Sequence, residues 1–240
     1  MISSSFFWYN IIIKVKKSES DNMIQKEIYP KTQRMKVGGD KVYLTEKLDG
    51  SNLVLFKKGG ELYMAQRNNI FCLSEIEDQK KKLYPGLYQW LQNYGAGLQD
   101  NLHESSCVCG EWLGMGNLKY TIDEFDRRFY MFAKANIDDD FNLYNLIYDH
   151  SLFIYPFIDM RVPYYIGIVP EVMELTILPN KKHLDSIYDK YCNQVGRPVE
   201  GFVINYKNII TKYVRYKRGK MVEYSDLDHK NIENTSQEEA

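Results

Sequence analysis

A lysine placed before an Asp-Gly pair is the residue of this chain best suited to covalent chemistry. Lys47 lies in the run TEKLDGSN at residues 45–52, directly after an apolar segment. Asp-Gly favours a tight turn, so we expect the amine at the end of one strand and before the next. A neutral lysine amine is a nucleophile. About a few per cent of chains this long contain K-x-D-G by chance, and a hairpin with an exposed lysine is the alternative interpretation.

Such chemistry would need more than a well-placed amine. A free lysine is almost fully protonated in the cytosol, with only about one amine in a thousand neutral. Nearby cations or burial must disfavour the charged form before the amine can attack phosphorus. A nucleophilic Lys47 therefore predicts further basic groups in the same cleft, together with a metal site.

The chain supplies candidates for both. Arg67 follows Lys47 by twenty residues, Glu111 lies in CGEW, Phe132 in FYMFA and Glu200 in EGFVI, and Arg215 and Lys217 lie in VRYK. Each has a plainer interpretation. Arg67 would be a surface base, the two glutamates exposed carboxylates at strand ends, and Phe132 a core residue. Phe129 or Tyr130 competes with Phe132, and Lys217 competes with Lys212, Arg218 and Lys220.

Taken in this order, the segments resemble the motifs of covalent nucleotidyltransferases, the superfamily of ATP-dependent DNA and RNA ligases and mRNA capping enzymes. The resemblance spans roughly residues 29–224. Ser51 and Asn52 after the glycine are more like the RNA ligases of phages and of kinetoplastid RNA editing. The segment YPKT at residues 29–32 resembles the lead-in of some phage RNA ligases. The resemblance implies an ATP-dependent RNA ligase.

The resemblance also implies roles for single residues. Lys47 would carry AMP, Arg215 and Lys217 would neutralise the triphosphate, and Glu200 would hold Mg²⁺ or Mn²⁺. Glu111 would bind the ribose hydroxyls, Phe132 would stack on adenine, and Arg67 would contact phosphate. The implied nucleotide-binding set is Glu46, Asp49, Gly50, Asn52, Arg67, Glu111, Phe132 and Glu200. The family's fifth motif often begins with lysine, whereas Arg215 stands here and keeps the charge.

RNA ends bearing a 5′-phosphate and a 3′-hydroxyl are the implied partners. Only sixteen residues follow Tyr224, so we expect closure over the substrate to need an accessory domain or protein, or the N-terminal arm. Three alternatives stay open: a DNA ligase or a capping guanylyltransferase, a catalytically silent nucleic-acid-binding homologue, and an enzyme that adenylates itself but seals poorly.

Composition indicates a soluble intracellular protein, cytoplasmic or in another internal compartment. Hydrophobic residues make up 44% of the chain and the net charge is -1. Residues 225–240 carry five acids and one base, so the body has a charge of +3, which suits a local nucleic-acid track or ordinary surface charge. The apolar segment 6–13 lacks a cleavage site and is too short to span a bilayer, so we expect no membrane contact. A viral or phage origin is compatible with the resemblance.

The elements that must position these residues are read from their periodicity. We expect an N-terminal strand and linker at 1–28, a nucleotidyltransferase domain at 29–224, and an acidic disordered tail at 225–240. Gly59-Gly60 predicts a hairpin turn, and Ser74 with Glu77 a capping box. Strands mostly follow one another, which favours an α+β fold with mainly antiparallel sheets flanked by helices around an ATP cleft. The predicted strands are 41–46, 52–57, 61–66, 106–112, 128–134, 163–169, 200–206 and 212–217, and the predicted helices are 74–84, 86–94, 141–150 and 180–193.

Four cysteines complete the candidate set. Cys107 and Cys109 alternate in an apolar stretch, so both should face one side of a strand. No cysteine or histidine has zinc-ligand spacing. Buried structural thiols are the favoured interpretation.

Overall fold

A computed structural model describes residues 24–25, 41–67, 69–206 and 209–222. The predicted strand at 6–13, the lead-in at 29–32 and the acidic tail at 225–240 lie outside the described residues. Three α-helices are described: α1 (Ile76–Gln79), α2 (Leu87–Asn101) and α3 (Lys181–Val195). The described strands are β1 (Ile24–Gln25), β2 (Val42–Lys47), β3 (Ser51–Lys58), β4 (Glu61–Gln66), β5 (Asn69–Cys72), β6 (Ser106–Trp112), β7 (Phe129–Ile137), β8 (Leu143–Ile147), β9 (Ile166–Ile168), β10 (Glu171–Leu175), β11 (Gly201–Tyr206), β12 (Ile209–Val214), β13 (Tyr216–Lys217) and β14 (Lys220–Met221).

The larger sheet supplies one wall of the molecule's main cleft. Its strands run in the order β1-β5-β4-β3-β6-β7-β8, all antiparallel, and β9 pairs parallel with β7. One face packs against α2 through a cluster that includes Leu53, Leu91 and Trp112. The other face buries Val54 together with Cys107 and Cys109. Both thiols therefore face one side of β6, as alternation along a strand predicts.

The smaller sheet carries Lys47. Its order is β10-β2-β11-β12, again antiparallel, and α3 covers its back face. The back face buries Leu44, Phe202 and Tyr213, which are neighbours across the strands. Residues at the alternate positions of the same strands point forward, away from α3.

A three-residue turn joins the two sheets. β2 ends at Lys47 and β3 begins at Ser51, so Leu48-Asp49-Gly50 carries the chain from the smaller sheet into the larger one. Lys47 thus lies where the sheets meet. The fold is α+β with mainly antiparallel sheets, as the strand pattern predicts. In the part of the chain that is described, no helix has the length and apolar character needed to cross a bilayer.

Several elements differ from the prediction. Residues 141–150 were expected to be helical, but Leu143–Ile147 form β8. Leu143, Leu146 and Ile147 have helical i, i+3, i+4 spacing, whereas the backbone N–H groups of Asp140 and Asn142 donate to the Asp138 carboxylate and turn the chain back onto β7.

The predicted helix 74–84 is also wrong in form. Only Ile76–Gln79 are α-helical, between short 3₁₀ segments at Leu73–Glu75 and Lys80–Lys82. The predicted capping box does not form, because no side chain caps either helix start. The Ser74 hydroxyl contacts the Cys72 thiol instead, at 3.1 Å. The hairpin at Gly59-Gly60 is confirmed, with positive φ at both glycines.

The predicted N-terminal linker contains structure as well. Ile24–Gln25 pair with β5 and extend the larger sheet by one short edge strand. The predicted strand 163–169 is shorter than expected, since only Ile166–Ile168 pair with β7. Helix α2 extends to Asn101, beyond the predicted end at 94.

Candidate active site

Lys47 is the last residue of β2, and its amine is held by a carboxylate from the neighbouring strand. Lys47 Nζ donates to Glu200 Oε2 at 2.5 Å, and the two residues are 153 positions apart in sequence. The register explains the contact, because Lys47 pairs with Gly201, the residue after Glu200. The two side chains keep 24% and 15% of their surface exposed, so the pair is open to a ligand.

The front face of the smaller sheet forms one wall of the cleft beside this pair. Tyr43, Thr45 and Lys47 alternate along β2, and Val203 and Asn205 are their neighbours on β11. The cleft has a volume of ≈ 710 Å³, its open mouth included. Its lining residues are Tyr43, Thr45, Glu46, Lys47, Leu48, Asn52, Glu111, Phe132, Tyr148, Val169, Val203, Asn205 and Ile210.

The facing wall comes from the larger sheet. Asn52 on β3 lies directly opposite Glu111 on β6 in the register, and both line the cleft. Phe132 on β7 joins them at an irregularity in the pairing with β6, where Ala133 pairs with Cys109 but Met131 pairs with Gly110. The extra residue is Phe132, and a bulge of this kind redirects a side chain. An aromatic ring and the aliphatic Val203 thus lie on opposite walls.

The electrostatics of the cleft centre on its two glutamates. Burial raises the pKa of Glu111 to about 7, although the charge of Lys47 and the hydrogen bond from Gly50 oppose the shift. Glu111 accepts the Gly50 N–H at 3.1 Å. Burial also raises the pKa of Glu200, again against the charge of Lys47. Both carboxyls are therefore short of solvation, which is typical of residues awaiting a polar ligand.

The turn after Lys47 is fixed by a segment that follows β6. The Asp49 carboxylate accepts the backbone N–H groups of Asn117 and Leu118, at 2.6 and 2.8 Å. Gly50 is required by close packing, since an added Cβ would lie 2.4 Å from the Trp112 carbonyl oxygen. These contacts shape the cleft wall and leave the Asp49 carboxylate occupied within the protein.

Lys212 is the basic residue of β12 on the front face. It lies beside Val203 in the register, in line with Thr45 on β2. Burial lowers the pKa of Lys212, and the charges of Lys47 and Lys217 lower it further. The charges of Lys47 and Lys217 therefore both act on Lys212 at this end of the cleft. Lys217, on the short strand β13, is exposed.

Arg215 does not share this placement, which corrects the expectation that it faces a triphosphate. Its guanidinium contacts the carboxylate of Asp185 on α3 and lies 3.2 Å from the Tyr213 hydroxyl. It also lies over the Tyr188 ring, 5.5 Å from the centroid. Since these partners belong to the back of the smaller sheet, Arg215 fastens β12 to α3 rather than lining the cleft.

The side chain of Glu46 is a second correction. Its backbone borders the cleft, but the residue is 1% exposed and its carboxylate points to the back of the sheet. There it forms an ion pair with Arg197 at 2.8 Å. The expected nucleotide contact can come only from the Glu46 backbone.

Arg67 lies outside the cleft lining. It is exposed in the turn after β4, with a left-handed backbone at φ 45° that non-glycine residues seldom adopt. Its charge acts on the Tyr84 hydroxyl, which in turn donates to the carbonyl of Asn52. Arg67 therefore lies near the Asn52 end of the larger sheet.

Several residues that line the cleft were not predicted from the sequence. Thr45, Tyr148, Val169 and Asn205 line the cleft. Period-2 alternation back from Lys47 would have found Thr45 and Tyr43 on its face. Tyr148 lies in the region mistaken for a helix, and no local pattern marks it.

Comparison with known proteins adds a family match. The family model described as RNA ligase matches residues 40–220 of this chain. No curated protein matches.

Solved structures of ligases resemble the chain at low identity. An archaeal ATP-dependent RNA ligase is 15% identical with a TM-score of 0.48, and the match covers 82% of this chain and 50% of that chain. A Naegleria gruberi RNA ligase mutant with ATP and Mn is 16% identical with a TM-score of 0.43, covering 79% and 59%. A putative ATP-dependent DNA ligase from Aquifex aeolicus is 15% identical with a TM-score of 0.48, covering 84% and 58%. The chain spans about half to three fifths of the length of these proteins.

Proposed function

This chain belongs to the RNA ligase family, and from that premise we propose that it is an ATP-dependent RNA ligase that works through a covalent lysyl-AMP. The observation that carries the proposal is the placement of the Lys47 amine. It lines the cleft between the two sheets, 2.5 Å from the Glu200 carboxylate, with Glu111 and Phe132 on the facing wall. These four residues are far apart in sequence and are among those that the motif resemblance singles out, which supports the proposal.

The proposed first step is self-adenylation. Lys47 Nζ attacks the α-phosphorus of ATP, the bond to the leaving pyrophosphate breaks, and the nitrogen loses a proton. Attack requires a neutral amine, and the charge of Lys47 acts on Lys212 beside the cleft. Glu200 holds the amine in the cleft until the nucleotide binds.

The later steps transfer the nucleotide to RNA. The 5′-phosphate of one RNA end attacks the bound AMP, so the phosphorus–nitrogen bond breaks and Lys47 is regenerated. A 3′-hydroxyl then attacks the activated 5′-phosphate and AMP leaves. In this scheme Phe132 stacks on adenine, Glu111 binds the ribose hydroxyls, and Arg67 contacts the polynucleotide.

The acidic groups of the site fit a divalent cation that keeps most of its waters. Within the described ranges, no group of three or more His, Cys, Asp or Glu is arranged as a metal cage. Mg²⁺ commonly binds through one or two carboxylates together with substrate phosphates. Glu200, which pairs with the Lys47 amine and keeps 15% of its side chain exposed, is the group that would hold Mg²⁺ or Mn²⁺. The cation would supply positive charge to the phosphates.

Lys212 takes over the phosphate-facing role that the sequence assigned to Arg215. Its position on the front face of β12 and the influence of the Lys47 charge on its pKa support this choice. Lys217 keeps its predicted role because its charge acts on Lys212. The accessory domain or protein, the intracellular location and the viral origin stay predictions.

A labelling experiment tests the proposal. The purified chain is incubated with α-labelled ATP and Mg²⁺, and we expect a covalent adduct that survives alkali and is released by acid, because a phosphoramidate forms at Lys47. Lys47→Ala should abolish the label. Lys190→Ala, an exposed lysine on α3, is the matched control and should label like the unaltered chain. An adduct that persists in Lys47→Ala would refute the nucleophile.

The same assay separates the alternatives. A capping guanylyltransferase would label with GTP instead of ATP. A DNA ligase would label with ATP but prefer nicked DNA over RNA ends in a substrate panel. A silent homologue would bind RNA with a salt-dependent affinity and form no adduct.

A further inference from the structure

A network of buried charges lies directly behind the proposed nucleophile. Glu46, the residue before Lys47, is buried on the back of β2. Arg197 grips its carboxylate with two nitrogens, at 2.8 Å to Oε1 and 3.0 Å to Oε2. The Tyr191 hydroxyl donates to Oε2 at 2.9 Å. Two parallel bonds from a guanidinium fix both distance and angle, which a single contact would not.

The other side of Arg197 contacts the segment that follows β6. Its Nε donates to the Glu124 carboxylate. Its guanidinium also lies 5.3 Å from the ring centroid of Tyr120 and 5.1 Å from that of Phe125. With 14% of its side chain exposed, Arg197 joins α3's end to residues 120–125.

That segment holds the chain on the far side of Lys47 as well. The Tyr120 hydroxyl accepts the Asp49 N–H at 2.6 Å, and the backbone N–H groups of residues 117 and 118 donate to the Asp49 carboxylate. Glu46 and Asp49 are therefore tied to one segment, the first through Arg197 and the second directly. Lys47 lies between the two attachment points.

We propose that Arg197 is a positioning residue that sets the direction of the Lys47 amine, by clamping Glu46 on one side and the 117–125 segment on the other. The inference rests on the proposed function. Arg197 lies behind the sheet and contacts neither the cleft nor Lys47 in the described structure, so it would act through the backbone of β2. Lysine cannot replace it, because a single ammonium cannot span both Glu46 oxygens, Glu124 and two ring faces.

The test compares Arg197→Gln and Arg197→Lys with the unaltered chain in single-turnover adenylation. Misplacement of a reacting group by about 1 Å costs on the order of 100-fold in rate. We therefore expect about 100-fold slower adduct formation at saturating ATP in both variants, with the KM for ATP within about threefold of the original, because the cleft lining is unchanged. A purely structural role would lower the folded fraction and leave the rate per folded molecule unchanged.

Two controls separate positioning from stability. Leu184→Ala removes a buried α3 side chain that has no part in the network, so it should destabilise the fold yet keep the rate per folded molecule. The double variant Glu46→Gln/Arg197→Gln removes both buried charges, so it should regain stability relative to Arg197→Gln while remaining slow. A double variant that recovers both stability and rate would overturn the inference.

The outcomes also distinguish a failure of the Arg197 inference from a failure of the proposed ligase function. If the unaltered chain forms no adduct, the proposed function fails and the inference fails with it. If the unaltered chain forms an adduct and Arg197→Gln matches its rate, only the inference is overturned.

Discussion

Two ion pairs on adjacent residues of one strand face opposite sides of the smaller sheet. On the front, Lys47 contacts Glu200, and both side chains are partly exposed. On the back, the Glu46 side chain is fully buried and Arg197 holds it with two bonds. The front pair is a single contact that a ligand can exchange, whereas the back pair is enclosed and geometrically fixed.

The difference shows how a strand can serve chemistry and stability at once. Alternation sends Lys47 forward and Glu46 backward, so the amine that we propose as the nucleophile follows a residue whose carboxylate is held by two hydrogen bonds from Arg197. A buried pair costs desolvation and contributes orientation more reliably than stability. Removing one member from each pair should therefore produce different losses.

The largest expected effect is on adduct formation, after a substitution in the front pair of Lys47 and Glu200. Glu200→Gln removes the carboxylate that holds the amine and would hold the cation, so adduct formation should fall on the order of 10²- to 10³-fold. The free energy of unfolding should change by less than about 1 kcal/mol, because the pair is partly exposed. Adduct kinetics and urea unfolding of the same preparation measure both quantities. A large loss of stability would show that the front pair is structural.

Breaking the back pair should affect stability more than it affects the rate of adduct formation. Glu46→Gln leaves the Arg197 guanidinium with one buried carboxylate partner fewer, so the free energy of unfolding should fall by about 3 kcal/mol. Adduct formation per folded molecule should slow less than in Glu200→Gln. Urea unfolding against the unaltered chain tests this, and an unchanged midpoint would contradict it.

The pH dependence of the free energy of unfolding tests whether the Glu111 carboxyl is buried in the cleft. Burial raises the pKa of Glu111 to about 7, so the folded chain binds its proton more tightly than the unfolded chain does. This contribution is fully present below the ordinary glutamate pKa, and it is lost as pH rises to about 7. Glu111→Gln should therefore gain about 2 kcal/mol relative to the unaltered chain between pH 4 and pH 8. Unfolding curves of both proteins at pH 4 and pH 8 test the sign of this change. If the difference in the free energy of unfolding between the two proteins were the same at both pH values, the burial of Glu111 would be contradicted.

The two ion pairs also show what sequence reasoning can reach. Lys47, Glu111 and Glu200 each lie within three residues of a glycine in a short recognisable segment. In the structure Lys47 and Glu111 line one cleft, and Glu200 contacts Lys47. The Arg197 contact with Glu46 joins residues 151 positions apart. No local pattern marks such a pair, because it depends on how α3 packs behind β2.

The basic residues in and after β12 show a second limit of prediction from sequence. The strand was predicted at 212–217, but it runs from Ile209 to Val214. Arg215 was preferred over Lys212 for a phosphate contact because of its resemblance to the fifth motif, and alternation along the strand, which places Lys212 on the cleft face, was not applied. The helix expected at 141–150 failed because helical spacing competed with a turn fixed by Asp138. In both regions the residue types were informative and the boundaries were not.

The smallest expected effect is on the KM for ATP, and it decides whether Lys212 or Arg215 contacts the phosphates. Lys212→Met removes a charge from the cleft face, so the KM for ATP should rise about tenfold, which corresponds to ~1.4 kcal/mol. Arg215→Met removes the partner of Asp185 and Tyr213 behind the sheet, so the KM should change by less than about threefold and the loss should appear in unfolding instead. Steady-state adenylation over a range of ATP concentrations measures both variants. Lys212 lies on β12 and Arg215 directly follows its last residue. A larger KM effect from Arg215→Met would therefore mean that the nucleotide meets the opposite face of this segment, and the placement of Lys212 on the cleft face would then be wrong.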